Sequence, residues 1–262
     1  MPCRKVVFSM LLFHKRKHGI DFYNVWFAER PFRKPGIVYY YEYTGECPKA
    51  EHIEFDTLIT DLTESEDEIK KHFSKNCKYY VNRADKEEIS FEMKESDVIH
   101  TKEIADFCDF FETFWESKGT ILSDRQKLEE ELGIYRNAGV LTISSARVNG
   151  EIAVYHICIH DKDMARLLHS ASLFRLRNDD DGKTRNLIGI ANRRLHFEEM
   201  KHFKKMGLRI YDWGGAGHGE EVIHITEFKE SFGGTPVVYY NFEHANGIMA
   251  KLFKLLVKLL GK

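Results

Sequence analysis

The first ninety residues alternate aromatic and β-branched runs with turn residues, a pattern typical of strands. Three such runs are DFYNVWFAE, GIVYYYEY and HIEFDTLI, and these residue types favour a pleated, half-buried backbone. The turn Arg33-Lys34-Pro35-Gly36 separates the first two runs. An earlier apolar run, Val6 to Phe13, leads into HKRKH instead of the small-residue cleavage site of a secretory signal. It therefore predicts a buried strand that ends in a basic turn.

A helical period starts near residue 65. Thr63-x-x-Glu66 and Ser65-x-x-Glu68 both match the capping box, in which the two side chains satisfy backbone N–H groups at a helix start. The apolar residues that follow at helical spacing are Ile69, Phe73, Cys77 and Tyr80. One long amphipathic helix over about 65–85 is predicted, followed by the short strand EISFEM.

Beyond residue 100 the apolar period switches between helical and alternating. Two helices are predicted over about 101–118 and 124–137, the second opening with the box Ser123-x-x-Gln126. A period of two then runs from residue 140 to 174, and its Asn149-Gly150 pair is a strong hairpin signal, so a three-strand meander is predicted. The remaining predicted elements are a helix over about 187–206, a strand at 208–211, a helix over 222–231, the strand TPVVYYNFE and a helix over 247–260.

Composition narrows the class of protein without naming a function. The chain has 262 residues, 43% hydrophobic and 31% charged, with a formal net charge of −2, which argues against a strongly cationic nucleic-acid binder. Five scattered cysteines form no C-x-x-C pair, so zinc-ribbon and thioredoxin-like sites have no support and a reducing compartment is favoured. No apolar run approaches the roughly 20 residues that span a bilayer. A cytoplasmic location is predicted.

Two motifs carry a resemblance to a known family. YDWGG at 211–215, followed by FKESFGG at 228–234, resembles D-[FW]-G-G … F-K-x-x-F-G-G of the Fem-type branch of the GNAT acyltransferases. That branch contains the peptidoglycan interpeptide-bridge aminoacyltransferases and their acetyltransferase-like relatives. Arg83, Ala84 and Lys86 also match the residues that follow this family's early helix. The resemblance spans about residues 55–242.

The resemblance implies an α+β fold of the GNAT-like type, with a central, mostly antiparallel sheet flanked by helices. It implies an incomplete N-terminal GNAT-like lobe over 1–97, a GNAT acyltransferase-like lobe over 98–245 and a cleft between them. The C-terminal basic amphipathic helix, 246–262, forms a third segment. A Rossmann dinucleotide site at the glycines of 214–219 is rejected, because their G-G-x-G-x-G spacing differs from G-x-G-x-x-G.

GNAT enzymes bind the donor pyrophosphate with [RQ]-x-x-G-x-[GA] at a helix N-terminus, where exposed N–H groups and the helix dipole favour an anion. The corresponding residues here are Asn186, Gly189 and Ala191, with Asn in place of Arg or Gln. Arg185 supplies a nearby positive charge, as do Arg193 and Arg194. The resemblance thus implies acyl-CoA as the co-substrate, whereas the Asn departs from the family pattern. A plain helix start is the alternative.

Three residues are candidates for catalysis. The resemblance places Lys229 beside an anionic acceptor or the developing charge at the transferred carbonyl, where a fixed cation stabilises the transition state; a solvated helix lysine is the alternative. Asp212 is either a general base for an acceptor amine or, as favoured here, an acceptor of backbone N–H bonds in the glycine-rich turn. His169 is another possible base, although a histidine on a half-buried strand more often packs and hydrogen-bonds.

Two further features are weighed against simpler explanations. His218, Glu220, Glu221 and His224 cluster in sequence, but their spacing matches no metal site, and no metal is predicted. The last helix, GIMAKLFKLLVKLLGK, is basic and amphipathic. Docking on the protein core with solvated lysines is slightly favoured, and contact with an anionic membrane surface is the alternative, which would make the protein peripheral at the inner face of the membrane.

Together these features predict an N-acyltransferase that moves an acyl or aminoacyl group from an activated donor to an amine of a cell-envelope or glycan precursor. The predicted donor is acyl-CoA. One alternative is a Fem-type ligase that uses aminoacyl-tRNA, although no helical arm for tRNA is found. The other is a non-catalytic GNAT-like protein that binds a precursor or a partner.

Overall fold

The computed structural model describes residues 10–176, 182–217 and 223–259. Its strands and helices occur in the order that the sequence pattern predicts, with a few shifted boundaries. The strands are β1 (Leu11–Lys17), β2 (Ile20–Trp26), β3 (Gly36–Tyr43), β4 (His52–Asp61), β5 (Ile89–Glu95), β6 (Leu141–Val148), β7 (Glu151–His160), β8 (Met164–Ser172), β9 (Ile210–Asp212) and β10 (Thr235–Asn246). The α-helices are α1 (Glu66–His72), α2 (Lys75–Arg83), α3 (Thr101–Glu116), α4 (Arg125–Asn137), α5 (Lys183–Lys205), α6 (Ile223–Glu230) and α7 (Ile248–Leu259).

All ten strands form one sheet in the order β1-β2-β3-β10-β4-β9-β8-β7-β6-β5. Neighbouring strands are antiparallel except for the pairs β2–β3 and β8–β9. This is the mixed α+β architecture with a mostly antiparallel sheet that the resemblance implies. The lobe boundaries at 97/98 and 245/246 stay a prediction. In the sheet, strands of the two predicted lobes pair with each other, because β10 lies between β3 and β4, and β5 pairs with β6.

The predicted meander is confirmed. β6 and β7 pair up to Val148 opposite Glu151, and the turn residues Asn149 and Gly150 have φ of 52° and 83°. Two consecutive positive φ values are what a type I′ turn requires, and Asn-Gly is the pair that adopts them at least cost. β7 and β8 then pair antiparallel from Val154–Ser172 to His160–Ala165.

Helices cover both faces of this part of the sheet. On β7, Tyr155, Ile157 and Ile159 pack in the same buried cluster as residues of α3 and α4. The alternate residues Val154 and Cys158 lie in clusters that contain residues of α5. Since successive strand side chains point to opposite faces, α3 and α4 cover one face and α5 covers the other.

The prediction of one helix over 65–85 is wrong, because the helix breaks at Phe73. Phe73 is extended (φ −64°, ψ 141°), and Ser74 begins α2 by accepting a hydrogen bond from the N–H of Cys77. The backbone N–H of Ser74 donates to the carbonyl of Ser231 at 2.7 Å. Gly233 lies against the same break, where a Cβ on Gly233 would stand 2.3 Å from the His72 oxygen. The FKESFGG motif therefore packs on the break.

Other boundaries also differ from the prediction. The basic residues Lys15 to Lys17 belong to β1, and the turn follows at His18-Gly19, because the strand continues its pairing with β2. The side chain of Asp124, rather than Ser123, caps α4. No helix in the described part of the chain is long and apolar enough to cross a membrane.

Candidate functional site

The parallel strands β8 and β9 separate after a short contact. They pair over only three positions, from Met164–Ile210 to Arg166–Asp212. β8 then continues to Ser172, whereas the chain after β9 leaves the sheet through the glycine-rich turn. A cleft of about 840 Å³, the central cleft, opens where the strands diverge.

A β-bulge lies on the wall of this cleft. Ile157 of β7 pairs with His169, and the next residue, Cys158, pairs with Leu167, so Leu168 is the extra residue. Leu168 and His169 both line the central cleft. A bulge leaves its extra residue outside the ladder and re-aims the local backbone. The bulge therefore changes the strand geometry at the place where a ligand would lie.

The DWGG turn also lines the cleft, next to β8, and needs its first glycine. Gly214 has φ +64°, and a Cβ there would stand 2.0 Å from the carbonyl oxygen of Leu167. No other residue type fits without moving the backbone. Gly214 thus allows the turn to close tightly on β8.

Asp212 organises this turn. Its Oδ1 accepts hydrogen bonds from the Thr57 hydroxyl and the Gly214 N–H, both at 2.7 Å. The side chain is fully buried, and its Oδ2 has no hydrogen-bond partner within the described part of the chain. Burial raises the pKa of Asp212, while the bond from Thr57 and the charge of Arg166 counteract the rise. This is the geometry of the turn-supporting role that the sequence favours over a general base.

Lys229 reaches the central cleft from α6. Its Nζ donates to the carbonyl oxygens of Gly214 and Gly215, at 2.9 and 2.6 Å, and the residue is 8% exposed. An ammonium has three N–H bonds, so one is left for the cleft. Burial, together with the charge of Arg166, lowers the pKa of Lys229 to about 8. Lys229 is therefore a cation with a fixed position at the turn.

Two buried charges beneath the turn are not among the sequence candidates. Arg166 lies within 2.6–2.7 Å of Oε1 of Glu42, which joins β8 to β3 across the sheet. Glu42 is 1% exposed with a φ of +50°, and among the described residues its Oε2 has no hydrogen-bond partner. Burial raises the pKa of Glu42 to about 7 against the opposing charge of Arg166. The available sequence signal is a lone carboxylate in the aromatic run GIVYYYEY.

His169 lies on the cleft wall in β8, half-buried against the rings of Phe107 and Phe111. Burial, with the charge of Arg166, lowers the pKa of His169 to about 4. No described residue hydrogen-bonds its ring nitrogens. A base normally has an orienting partner on its second nitrogen, so His169 here resembles a packed wall residue.

A second cavity of about 460 Å³, the α5 pocket, contains most of the predicted donor-binding residues. Arg185, Asn186 and Gly189 line it, together with Arg193. Ala191 does not line it but is fully buried in the apolar cluster between α5 and the sheet. The structure thus brings three of the four predicted residues together.

The helix start differs from the predicted one. α5 begins at Lys183, and the Asn186 N–H already donates to the Gly182 carbonyl at 3.0 Å. The N–H groups from Asn186 to Ala191 therefore take part in the helix. They cannot cradle a phosphate, although the resemblance of the motif implies that they do. Anion binding in this pocket would rest on the Arg185 and Arg193 side chains and on the positive end of the helix dipole.

Polar residues form a buried stripe on α5 below the two cavities. Asn192, His196 and Glu199 are spaced i, i+4 and i+7, which places them on one helix face. Glu199 accepts a hydrogen bond from Tyr211 at 2.7 Å and lies 2.9 Å from Nδ1 of His156. The sites predicted from the sequence do not include this stripe, although three polar residues on the apolar face of a helix are a signal that the sequence contains.

The stripe fixes the orientation of His196, whose Nδ1 lies 3.0 Å from the Tyr211 hydroxyl. Among the described residues, His156, His196 and Glu199 are grouped closely enough to hold a metal, with ligand atoms within 4.8 Å of one another. Those atoms are already engaged in the network with Tyr211 and Ser144. His196 and Asn192 also line the central cleft.

Aromatic rings and cations line the rest of the central cleft. Phe111, Phe114 and Trp115 of α3 form one wall. Lys118 lies over two of these rings, 4.2 Å from the Phe114 centroid and 4.8 Å from that of Trp115. No described residue hydrogen-bonds the buried indole N–H of Trp115. Such a wall suits a partly apolar ligand with a few polar or anionic groups.

Only one residue of the histidine and glutamate cluster near α6, His224, lies within the described residues. His218, Glu220 and Glu221 lie outside the described residues. His224 is exposed, lines the central cleft, and has its Nδ1 3.3 Å from a carboxylate oxygen of Glu227.

Solved structures share this architecture at low sequence identity. FemX superposes with a TM-score of 0.59 and 13% identity over 79% of this chain, which spans 64% of the length of FemX. The C-terminal domain of a candidate lysylphosphatidylglycerol synthetase from Agrobacterium fabrum gives 0.52 and 14%, with 96% and 85% of the two chains covered. L-PGS from Bacillus licheniformis gives 0.50 and 11%, covering 97% and 86%.

No protein-family model matches the sequence, and no curated protein sequence does. The likeness therefore concerns the arrangement of strands and helices. That arrangement confirms the architecture implied by the DWGG and FKESFGG motifs: the chain has the GNAT-like fold of the Fem type.

Proposed function

We propose that this chain is an acyltransferase that moves an acyl or aminoacyl group from an activated donor to an amine of a cell-envelope or glycan precursor. One observation carries the proposal: the α5 pocket and the central cleft adjoin. Both are lined by Ser172, Phe174, Asn192 and Phe228. A donor in one cavity and an acceptor in the other would meet at this shared wall, next to the diverging strands.

The α5 pocket is the proposed donor site. Arg185 is exposed, and the guanidinium of Arg193 lies 5.0 Å from the ring centroids of both Tyr80 and Phe228. Guanidinium groups suit phosphates and also stack on aromatic faces. Acyl-CoA and aminoacyl-tRNA share the chemistry that such a pocket recognises, namely an activated carbonyl attached to a phosphorylated nucleotide. Acyl-CoA is the donor that we propose first.

Aminoacyl-tRNA remains the second candidate donor, and a specific observation favours it. The proteins that superpose over nearly the whole chain include one named for lysylphosphatidylglycerol, a product that carries an amino acid. In addition, the N–H groups from Asn186 to Ala191 are hydrogen-bonded within α5, so they cannot form the backbone cradle that binds coenzyme A in the motif.

The central cleft is the proposed acceptor site. Its aromatic wall on α3 would pack against the apolar faces of a sugar ring, and Lys118 would meet anionic groups of a precursor. An amine held there faces Lys229 and the β8 bulge, which line the same cleft.

The proposed reaction is a direct transfer without a covalent enzyme intermediate. The nitrogen of the neutral amine attacks the donor carbonyl carbon, and the C–S or C–O bond to the donor breaks with its electron pair leaving on sulfur or oxygen. The amine loses one proton to solvent, and the leaving sulfur or oxygen takes one up. Holding both substrates at the shared wall supplies proximity, and the positive charge of Lys229 stabilises the anionic oxygen of the tetrahedral intermediate. No described residue is required as a covalent nucleophile.

The donor is tested by thermal shift of the full chain with acetyl-CoA, longer acyl-CoAs, free coenzyme A and aminoacyl-tRNA. An acyl-CoA that binds should raise the melting temperature, because it stabilises only the folded state. Arg185→Glu should abolish the shift, whereas Arg147→Glu, a matched reversal on an exposed strand residue, should keep it.

A shift with aminoacyl-tRNA alone would assign the Fem-type donor instead. The acyltransferase proposal is abandoned if no donor of either kind gives a shift and no transfer to amino sugars is detected by mass spectrometry. A non-catalytic binding protein would then be the better description.

A further inference from the structure

The C-terminal helix α7 is attached to the protein by a narrow strip of its surface. Ala250 is 2% exposed and packs in a cluster with Ile20 and Ile37. The rings of Phe253 and Phe22 meet edge to face, with centroids 6.0 Å apart. These contacts hold α7 against β2 and β3, and they use only one side of the helix.

Another side of α7 presents large apolar residues to solvent. Six of its side chains are between 51% and 78% exposed: Ile248, Met249, Leu252, Leu255, Leu256 and Leu259. At about 100° per residue these positions fall within one continuous stripe about 120° wide. Isolated exposed leucines are ordinary, but a contiguous apolar stripe marks a surface that another apolar phase covers.

Basic residues lie near α7 on three elements. Lys251 and Lys254 of α7 are exposed. On β1, the exposed Lys15 and Lys17 pair with Phe22 and Ile20, the same residues that pack against α7. Arg33 and Lys34 are exposed and directly precede Pro35. The Cβ of Pro35 lies next to the start of α7, 3.6 Å from the position that a Cβ on Gly247 would take.

The acidic residues nearby are already paired. Asp21 lies 2.9 Å from His14 and 3.9 Å from Arg16, and Glu243 lies 3.1 Å from Lys254. Lys254 is therefore neutralised by Glu243, and the excess of positive charge near α7 comes from Lys15, Lys17, Arg33, Lys34 and Lys251.

We propose that α7 docks this protein on the surface of an anionic lipid bilayer. The exposed stripe would enter the boundary between headgroups and acyl chains, and the lysines and arginines of α7, β1 and the 33–34 turn would meet anionic headgroups. Apolar burial and attraction to anionic lipid are the two contributions that hold an interfacial helix. A second copy of the chain fits less well, because it would bring two basic rims together. This docking surface does not depend on the proposed transfer reaction.

Vesicle flotation of the full chain tests the proposal. The protein should float with vesicles of phosphatidylcholine and phosphatidylglycerol, and much less with phosphatidylcholine alone. Raising salt from about 0.1 M to about 0.5 M should release it, because the Debye length falls well below 10 Å. Leu252→Glu/Leu255→Glu should lower the bound fraction at least about tenfold, since two apolar side chains can no longer enter the bilayer.

The matched control is Ile121→Glu/Ile134→Glu, which adds the same charge at residues that are 81% and 52% exposed elsewhere on the surface. The control variant should float like the parent chain, and circular dichroism should show that both variants are folded. The proposal is overturned if the parent chain does not float with anionic vesicles, or if both double variants lose flotation equally. It is also overturned if the chain fails to float and light scattering shows a dimer that Leu252→Glu/Leu255→Glu dissociates.

Discussion

Replacing Lys229 by methionine separates a catalytic charge from a structural one. Methionine has a similar length but removes both the positive charge and the hydrogen bonds to the Gly214 and Gly215 carbonyls. If the charge stabilises the tetrahedral oxyanion, the rate of transfer at pH 7 should fall about 10²- to 10³-fold. The two lost hydrogen bonds should lower the free energy of unfolding by roughly 1–3 kcal/mol.

The pKa of Lys229 makes this prediction sharper. Because the lysine pKa is lowered to about 8, the side chain is mostly charged at pH 7 and mostly neutral at about pH 9.5. The ratio of the transfer rate of the parent chain to that of Lys229→Met should therefore fall as the pH rises through 8. An ordinary exposed lysine would keep its charge until about pH 10.4.

The assay is release of free coenzyme A from acetyl-CoA with glucosamine as acceptor, below the melting temperature of every variant. It is run in a Cys47→Ser background, because the exposed Cys47 thiol would react with the thiol reagent that detects free coenzyme A. Lys204→Met is the matched control, since Lys204 also donates to two backbone carbonyls, those of Leu62 and Glu64, but does not line the central cleft. It should lose stability and keep its rate. A parent-to-Lys229→Met ratio that stays constant from pH 7 to 9.5, or that Lys204→Met reproduces, would refute the reasoning.

Three further predictions follow from the site. Gly214→Ala should lower the free energy of unfolding by roughly 3 kcal/mol in urea denaturation, because its Cβ meets the β8 backbone; Gly189→Ala is its matched control and should raise that free energy by up to about 1 kcal/mol, because its Cβ makes only an ordinary contact, 3.8 Å from the Arg193 guanidinium. Arg166→Met should cost about 3–5 kcal/mol by leaving the Glu42 carboxylate buried and unpaired, and adding Glu42→Gln should recover part of that loss. His169→Gln should change the rate less than about threefold, and the parent pH–rate profile should show no break near 6.5, because His169 is already neutral above its pKa of about 4; a hundredfold loss would assign it as the base.

Much of the fold is determined locally, so the sequence predicts it. The Asn149-Gly150 turn and the alternating residues around it fix the meander, because the turn conformation and the face of each side chain depend on neighbours in the chain. Likewise the DWGG and FKESFGG motifs correctly indicate the Fem-type architecture. They also single out Lys229, which lines the cleft, and Asp212, which supports the turn beside it.

The tertiary structure decides what depends on residues far apart in the chain. Glu42 and Arg166 become a buried pair only because β3 and β8 belong to one sheet, in which β10, β4 and β9 lie between them, and nothing in either local sequence specifies the partner. The turn at Gly233 packs on the His72 carbonyl at the break of the helix at Phe73, whereas the helical spacing of Ile69, Phe73, Cys77 and Tyr80 favours one continuous helix. Local patterns therefore determine which elements form, whereas long-range packing determines where they break and which charges they bury together.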